Sequence, residues 1–281
     1  MSRLTALIQY TLHLADDSLI LGHRNSEWTG HGPILEQDIA LSNIALDLVG
    51  QARHFYQYAA TLLNQSSSEE KAAVLHEGMM FPGARVAGGD NPVAGITEDD
   101  LAYLRDAWDF RNCLLVEQGN GDWAKTILRQ FFFSTYQFYL YDRLRYSRDG
   151  QIAAISEKAY KEVAYHLRWS SEWVVRLGDG TAESHARLEK ALSQLWKFTG
   201  ELFIPAGYET LMTDEGIGGD PGAIHPKWAE KVTEIFSAAN ISLPLSASTL
   251  SGGKEGRHTE ELGYILAEMQ FLQRAYPGCE W

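Results

Sequence analysis

Leu48-Val49-Gly50-Gln51 and Val163-Ala164-Tyr165-His166 stand near the middle of two long stretches with helical spacing. Around the first, Ile39, Leu41, Ile44, Ala45, Leu48, Val49, Ala52 and Phe55 recur at three- and four-residue intervals. That apolar face predicts a helix from about Pro33, a residue suited to a first helical position, to about Leu63. Thirty helical residues extend roughly 45 Å, a length that fits a bundle and not a small globule. Around the second stretch, Gly150 and Gly178 bound a helix of about 151–177 that carries Trp169, Trp173, Val174 and Val175. Each of the two has a long predecessor. Leu4, Leu7, Ile8, Leu12, Leu14, Leu19 and Leu21 predict a first helix to about His23, and Asp122 opens another through Arg145. The latter carries Phe131, Phe132, Phe133, Tyr136, Phe138, Tyr139 and Tyr141, an apolar pattern that wraps more than one face. Such a helix is either central or covered by another chain.

The pattern between and beyond these pairs is less regular. Residues 65–96 pass from Ser66-Ser67-Ser68 and a short charged helical run into Met79, Met80, Phe81, Pro82, Gly83, Gly88, Gly89, Pro92 and Gly95, an irregular insertion between two halves. Thr97 with Asp100 predicts a capping box and a short helix to about Asn112. After the Gly178-Asp179-Gly180-Thr181 stop and restart, a helix runs from about Ala182 to Phe203 and ends at Pro205. A C-terminal extension of about 214–281 reads as loop over 214–226, a helix around Trp228–Ala239, a polar linker, and a last helix capped at Thr259-Glu260-Glu261 and ending before Pro277-Gly278. No segment alternates with strand period.

Helix pair, connection, helix pair is the plan of an all-α, ferritin-like bundle of long antiparallel helices with additional C-terminal helices, one domain over 1–281. Bundles of that type hold two irons with a Glu and a Glu-x-x-His from each half, because iron takes carboxylate oxygen and imidazole nitrogen from facing helices. Here the matching positions read Leu48…Gln51 and Val163…His166. Leucine and valine have no ligand atom, and one His is Gln. An offset set, Asp47, Glu162 and His166 with Asp16 or Asp17 added from the first helix, shares helix faces and offers a sparse alternative site. The favoured reading is a polar cluster in which Glu162 or Tyr165 pairs with His166, and Asp47 or Gln51 satisfies backbone or arginine groups.

Charge and cysteine count exclude other classes. With 24 basic against 37 acidic residues, a net of −13, and no basic stripe, the chain is a poor match to nucleic acid or to an anionic membrane surface. Two cysteines, Cys113 and Cys279, make no disulfide framework and read as isolated thiols. The N-terminal stretch carries His13, Asp16 and Asp17 inside its apolar pattern and is not read as a secretory signal, and no uncharged run approaches the roughly 20 residues of a membrane span. A cytoplasmic protein is expected. Hydrophobic residues at 45% with eight Trp supply a large core or large interfaces. Among weaker signals, Gly216-Ile217-Gly218-Gly219 completes no nucleotide fingerprint, and Ser251-Gly252-Gly253-Lys254-Glu255-Gly256-Arg257-His258 reads first as a flexible linker and second as an anion-binding loop.

Taken together, four motifs carry a family likeness: Ile44-Ala45-Leu46-Asp47-Leu48-Val49-Gly50-Gln51-Ala52-Arg53, Lys161-Glu162-Val163-Ala164-Tyr165-His166-Leu167-Arg168, Arg176-Leu177-Gly178-Asp179-Gly180-Thr181, and His258-Thr259-Glu260-Glu261-Leu262-Gly263 with Leu266-Ala267-Glu268-Met269-Gln270. Nearly end to end, the chain resembles the PaaC family, the C-type subunits of bacterial phenylacetyl-CoA epoxidases. The resemblance implies a ferritin-like fold, a degenerate di-iron site and a structural role in a hetero-oligomer with the other epoxidase subunits, the related di-iron catalytic one above all. In such a complex the catalytic bundle carries the di-iron centre and binds the CoA ester, and a reductase with FAD and an iron–sulfur centre delivers electrons from NADPH. The assembly adds one oxygen of O₂ across the phenyl ring to give the ring-1,2-epoxide. The resemblance implies no catalytic residue and no cofactor in this chain. It also implies that Asp109-Phe110-Arg111-Asn112 and Thr210-Leu211-Met212 approach the bound phenylacetyl-CoA, with Arg111 a candidate phosphate contact; from the residues alone Arg111 reads as a surface ion pair. The helix 123–146 and Trp169 with Trp173 are candidates for packing that supports the pair of bundles. Two rival functions remain: an independent metal-dependent oxygenase using the offset residues, and a stand-alone acyl-CoA-binding bundle. A homodimer of the chain alone is compatible with the same shape.

Overall fold

A computed structural model describes residues 1–75, 95–244, 248–276 and 279. The expected excursion through Met79 to Pro92, and Pro277-Gly278, lie outside the described residues. The helices are α1 (Arg3–Glu27), α2 (Leu35–Gln65), α3 (Ser68–Ala72), α4 (Glu98–Tyr103), α5 (Leu114–Glu117), α6 (Trp123–Leu144), α7 (Gly150–Gly178), α8 (Ala182–Thr199), α9 (Gly207–Asp214), α10 (Pro221–Ala238), α11 (Glu260–Met269) and α12 (Phe271–Ala275). Short 3₁₀ turns occupy Ala107–Asp109, Gly200–Phe203 and Gly253–Glu255, and there is no strand among the described residues. This is the expected all-α bundle.

Two helix pairs form its body: α1 lies along α2, and α6 along α7, and the pairs meet between α2 and α7. Caps set the ends. Ser2 accepts the Thr5 N–H, Asp122 the Lys125 N–H and Thr181 the Ser184 N–H. Gly150 bounds α7 as expected. It is the first residue of α7, whose cap is Asp149, accepting from Gln151 and Ile152. The turn before α2 is closed by Asp38, which accepts from the Gly30 and Gly32 N–H groups, so the helix begins at Leu35, two residues after Pro33.

The aromatic α6 is central. Phe131, Phe132, Phe133 and Tyr136 are buried, and the helix touches α7, α8 and α10. Phe132 stacks on Phe236 of α10 (centroids 5.9 Å, planes 5° apart) and accepts the Trp228 indole N–H on its carbonyl at 2.9 Å. Trp169 and Trp173, candidates for packing that supports the pair of bundles, make the following contacts within the chain. Both donate to Gln37 Oε1 (3.0 and 2.7 Å) and both meet Trp123 edge-on. Losing one such buried aromatic costs about 3–5 kcal/mol.

Two boundaries and one cap depart instructively from expectation. The helix begun by the Thr97–Asp100 capping box ends at Tyr103, not Asn112, because the chain then crosses the core in extended form. The 214–226 loop ends at Asp220. Pro221 takes the first position of α10, and Pro226 sits inside it, its missing N–H opening a single bond near the helix start. Finally, Thr259 makes no side-chain cap to α11, since its hydroxyl is engaged by Glu117. Gly178 must be glycine for packing: a Cβ there would lie 2.2 Å from the Ala239 carbonyl oxygen.

Candidate functional site

Two polar centres lie inside the bundle. The first is where α1, α2, α6 and α7 converge, the place of a di-iron site in this architecture. Leu48 and Val163 are fully buried and offer only hydrocarbon. Gln51 donates to Glu162 Oε2 at 2.9 Å and accepts from Gln137 Nε2 at 3.2 Å. Gln137 also donates to the Tyr141 hydroxyl (3.0 Å) and reaches Ser18 Oγ (3.4 Å). One polar side chain from each of α1 and α2 therefore meets two from α6 at the centre, and the α7 carboxylate closes the chain from outside. Ser18 and Gln137 were not singled out in sequence, because a lone Ser or Gln in a helix carries no spacing signal.

The pairing runs between α2 and α7 and not along α7. His166 does not pair with Glu162 or Tyr165; its Nε2 donates to Asp47 Oδ2 at 3.0 Å, and Glu162 turns to Gln51. Glu162 and His166 lie one turn apart on the same helix, and each reaches across to a partner on α2. The offset trio Asp47, Glu162 and His166 is therefore split into two bonded pairs. Among the described residues, no group of three or more His, Cys, Asp or Glu is placed to hold a metal ion. The groups that do meet are mainly amides and hydroxyls, with Gln137 Oε1 left buried and without a hydrogen-bond partner, so the residues present do not fit a dinuclear iron centre. Over this centre a cleft of about 130 Å³ opens between α2 and α7, lined by Leu46, Asp47, Gly50, His54, Lys158 and Glu162 among others.

The second centre explains Asp16 and Asp17. Neither contributes to the first. The extended segment after the 3₁₀ turn, residues 110–113, threads the core, and its backbone is held by charged side chains. The Arg111 N–H donates to Asp16 Oδ2 at 2.7 Å, the Cys113 N–H to Asp17 Oδ1 at 2.7 Å and the Leu114 N–H to Glu201 Oε2 at 2.6 Å. On the acceptor side, Arg105 donates to the Asp109 carbonyl (3.0 Å), and His13 Nδ1 and His258 Nε2 meet the Arg111 and Phe110 carbonyls at 2.8 and 3.0 Å. Arg105 and Asp16, both fully buried, pair with each other, and the Tyr56 hydroxyl donates to the same carboxylate at 2.5 Å. Burial works against the Arg105 charge, but Asp16 outweighs it and the guanidinium pKa rises. Glu117 fills its four acceptor sites with Asn112 Nδ2, His258 Nδ1, and the N–H and hydroxyl of Thr259.

His13 joins the two stretches expected near a CoA ester. Its Nδ1 holds the Arg111 carbonyl, its Nε2 lies 3.6 Å from both Asp17 and Glu209, and its ring lies against Tyr208. Lys254 donates to Glu209 at 3.0 Å. Burial pushes the Glu209 carboxyl up, but Lys254 and His13 prevail and hold it below the usual range. Burial raises the Asp17 carboxyl, which His13 only partly offsets. Of the expected contact residues, Phe110, Asn112 and Met212 are fully buried, Asp109 is buried, Leu211 is half-buried and Thr210 is exposed. Arg111 is no surface ion pair: its Nη1 donates to the Trp108 and Phe110 carbonyls at 2.9 and 3.2 Å. The loop at 251–258 is not a free linker either. The Gly252 and Gly253 N–H groups donate to Glu201 Oε1 at 2.6 and 2.8 Å, so the loop cradles an anion that the chain itself supplies. Arg105, Glu117 and Glu201 escaped sequence reading; the available signal was a charge inside an apolar run, as in Leu114-Leu115-Val116-Glu117.

A helical bundle with this centre and this full-length pattern belongs to a described class: residues 2–281 match the family model described as phenylacetic acid catabolic protein, and the chain belongs to that family. Within it, the C subunit of the 1,2-phenylacetyl-CoA epoxidase of Escherichia coli (strain K12) is 44% identical over 281 residues, covering 100% of both chains. No helix among the described residues is long and apolar enough to cross a membrane.

Proposed function

We propose that this chain is the non-catalytic structural subunit of a ring 1,2-phenylacetyl-CoA epoxidase and acts in aerobic phenylacetate degradation by supporting the di-iron catalytic subunit. The observation that carries this reading is the converged centre of Ser18, Gln51, Gln137 and Tyr141 beside Leu48 and Val163. It lies where the four long helices converge and offers no ligand set. Two irons, in this proposal, belong to the catalytic bundle, and FAD, iron–sulfur and NADPH to the reductase. This chain contributes rigidity. Its segment 110–114 is fixed by three buried carboxylates, a backbone locked well beyond what a loop needs.

Reconstitution tests it. The di-iron catalytic subunit with reductase, NADPH and phenylacetyl-CoA is assayed with and without this chain, and iron is measured in each purified component. Epoxide formation is expected to require this chain, with stoichiometric iron in the catalytic bundle and none in this one. Stoichiometric iron retained by this chain, and lost with turnover in His166→Ala, would establish the offset metalloenzyme instead.

A further inference from the structure

Two buried histidines hold consecutive carbonyls of the segment that threads the core. His13 Nδ1 meets the Arg111 carbonyl at 2.8 Å, and His258 Nε2 meets the Phe110 carbonyl at 3.0 Å. A carbonyl oxygen only accepts, so each of these nitrogens carries a hydrogen. The second nitrogen of each ring then decides its charge.

In His258 that nitrogen, Nδ1, meets Glu117 Oε2 at 2.8 Å. The same oxygen accepts from Asn112 Nδ2, and Oε1 accepts from the Thr259 N–H and hydroxyl. An acid group that takes three further donors over both oxygens is placed as a carboxylate, and a bare Nδ1 would set a lone pair against it. In His13 the second nitrogen, Nε2, is buried without a hydrogen-bond partner and lies 3.6 Å from both Asp17 Oδ2 and Glu209 Oε1. An acid O–H donating to Nε2 would close to about 3 Å or less, whereas equal separation from two carboxylates suits a cation between them. Lys254 bonds to Glu209, so Asp17, Glu209, Lys254 and His13 balance when His13 is cationic and leave an uncompensated buried anion when it is not.

The other groups around each ring supply no substitute charge. His13 faces Tyr10 on its own helix and Tyr208 on α9, and burial pushes both phenols up. Burial does the same to Tyr136 on α6 and to the Cys113 thiol. Beside Glu117, Arg24 of α1 spends its charge on Glu27 and Glu261, and Arg257 pairs with Glu255.

We propose that His13 and His258 each carry hydrogen on both ring nitrogens and form a proton-loaded latch, which fixes residues 110–111 and the C-terminal extension to the bundle and loosens as those protons are withdrawn toward alkaline pH. The latch reaches from α1 to α9 and the 253–255 turn through His13, and from α5 to the start of α11 through His258. Its closed form binds two protons that a loosened form need not keep, so its stability relative to that form falls as pH rises.

The test uses the unaltered full chain with ¹⁵N-labelled histidine rings. Long-range ¹H–¹⁵N spectra from about pH 6 to about pH 9 read the ring nitrogens, and hydrogen exchange reads the Arg111 amide. Both rings are expected to show two protonated nitrogens at about pH 7. Where a bare nitrogen appears on raising the pH, exchange at Arg111 should accelerate at least about tenfold beyond its intrinsic base-catalysed rise. Glu117→Gln should bare one nitrogen of His258 and leave His13 doubly protonated; if that variant does not fold, the spectra of the unaltered chain still decide. A bare nitrogen on either ring at about pH 7 would overturn the double protonation. Protection at Arg111 that persists after the second hydrogens have left would overturn the latch, as would a His258 ring unchanged by Glu117→Gln.

Discussion

Asp16→Asn is the sharpest probe of the buried clamp. The wild-type carboxylate accepts from the Tyr56 hydroxyl, from two nitrogens of Arg105 and from the Arg111 N–H. Both charged side chains are 0% exposed, so no water replaces what is lost. Asparagine keeps one acceptor oxygen and turns an NH₂ against donors, leaving the guanidinium without a counter-ion. Breaking a buried pair this way costs about 3–5 kcal/mol. Arg105→Met should cost a comparable amount by stranding the carboxylate. The double variant, which removes both charges, should cost less than the two single losses together, by about 1–3 kcal/mol of coupling. Guanidinium unfolding followed by tryptophan fluorescence gives the three values. Hydrogen exchange at the Arg111 and Cys113 amides adds a local readout, because these N–H groups are bonded to Asp16 and Asp17. Asp16→Asn should speed exchange at Arg111 more than at Cys113. A single-variant cost under about 1 kcal/mol with unchanged exchange at Arg111 would refute the claim that α1 carboxylates hold this segment.

Val163→Glu, which restores one carboxyl to the converged centre, is expected to destabilise the chain by at least about 4 kcal/mol, since it removes a buried apolar group and buries an acid without a partner. Burial raises the folded-state pKa of such an acid, so its penalty grows as pH rises above about 4.3 and the melting-temperature deficit should be smaller at pH 5 than at pH 8. Recovery of wild-type stability on adding ferrous iron would show that the centre is one residue from a working site. For Glu209 the sign is opposite. Its folded pKa lies below the ordinary 4.5, so it contributes stability that is present above that value and is lost as pH falls through the lowered folded value. Glu209→Gln should therefore lower stability at neutral pH and flatten the acid limb of a pH–stability curve; an acid limb as steep as in the unaltered chain would contradict the assignment.

Long elements were legible because apolar spacing survives whatever lies at the centre. The α2 and α7 faces can be read from Leu48, Ala52, Val163 and their neighbours with no knowledge of partners. The Thr97–Asp100 capping box was legible for the same local reason, since both of its bonds lie within four residues. The stretch from Leu104 to Leu114 was not. The end of α4 is set by Arg105, whose partner Asp16 is far away in sequence, and by carboxylates on α1 and before α9 that capture an extended backbone. Propensity carries no record of such distant bonds. The centre was half legible. The missing ligands at Leu48 and Val163 are visible as letters, but the pairs Asp47–His166 and Gln51–Glu162 depend on the register between two helices, which is a property of packing. Trp169 and Trp173 were ambiguous for a related reason. Large aromatics suit cores and interfaces alike, and only Gln37 and Trp123 decide between them here.

The amides at the centre have a use that hydrocarbon would not. An iron pair bridges four helices by ligation and so fixes their register. With Leu48 and Val163 in place of ligands, apolar packing alone would fill the space, but such packing tolerates small axial slips. Gln51 is both donor and acceptor: its Nε2 is spent on Glu162 and its Oε1 on Gln137, which in turn reaches Ser18 and Tyr141. A slip of either α2 or α6 would break these bonds in a dry interior, where each orphaned group costs about 1–3 kcal/mol. The network thus ties α1, α2, α6 and α7 in one register without a metal. Its outermost member, Glu162, also lines the cleft beside Gly50 and Lys158. The cleft and the interior centre are therefore joined by one hydrogen bond, from Gln51 to Glu162.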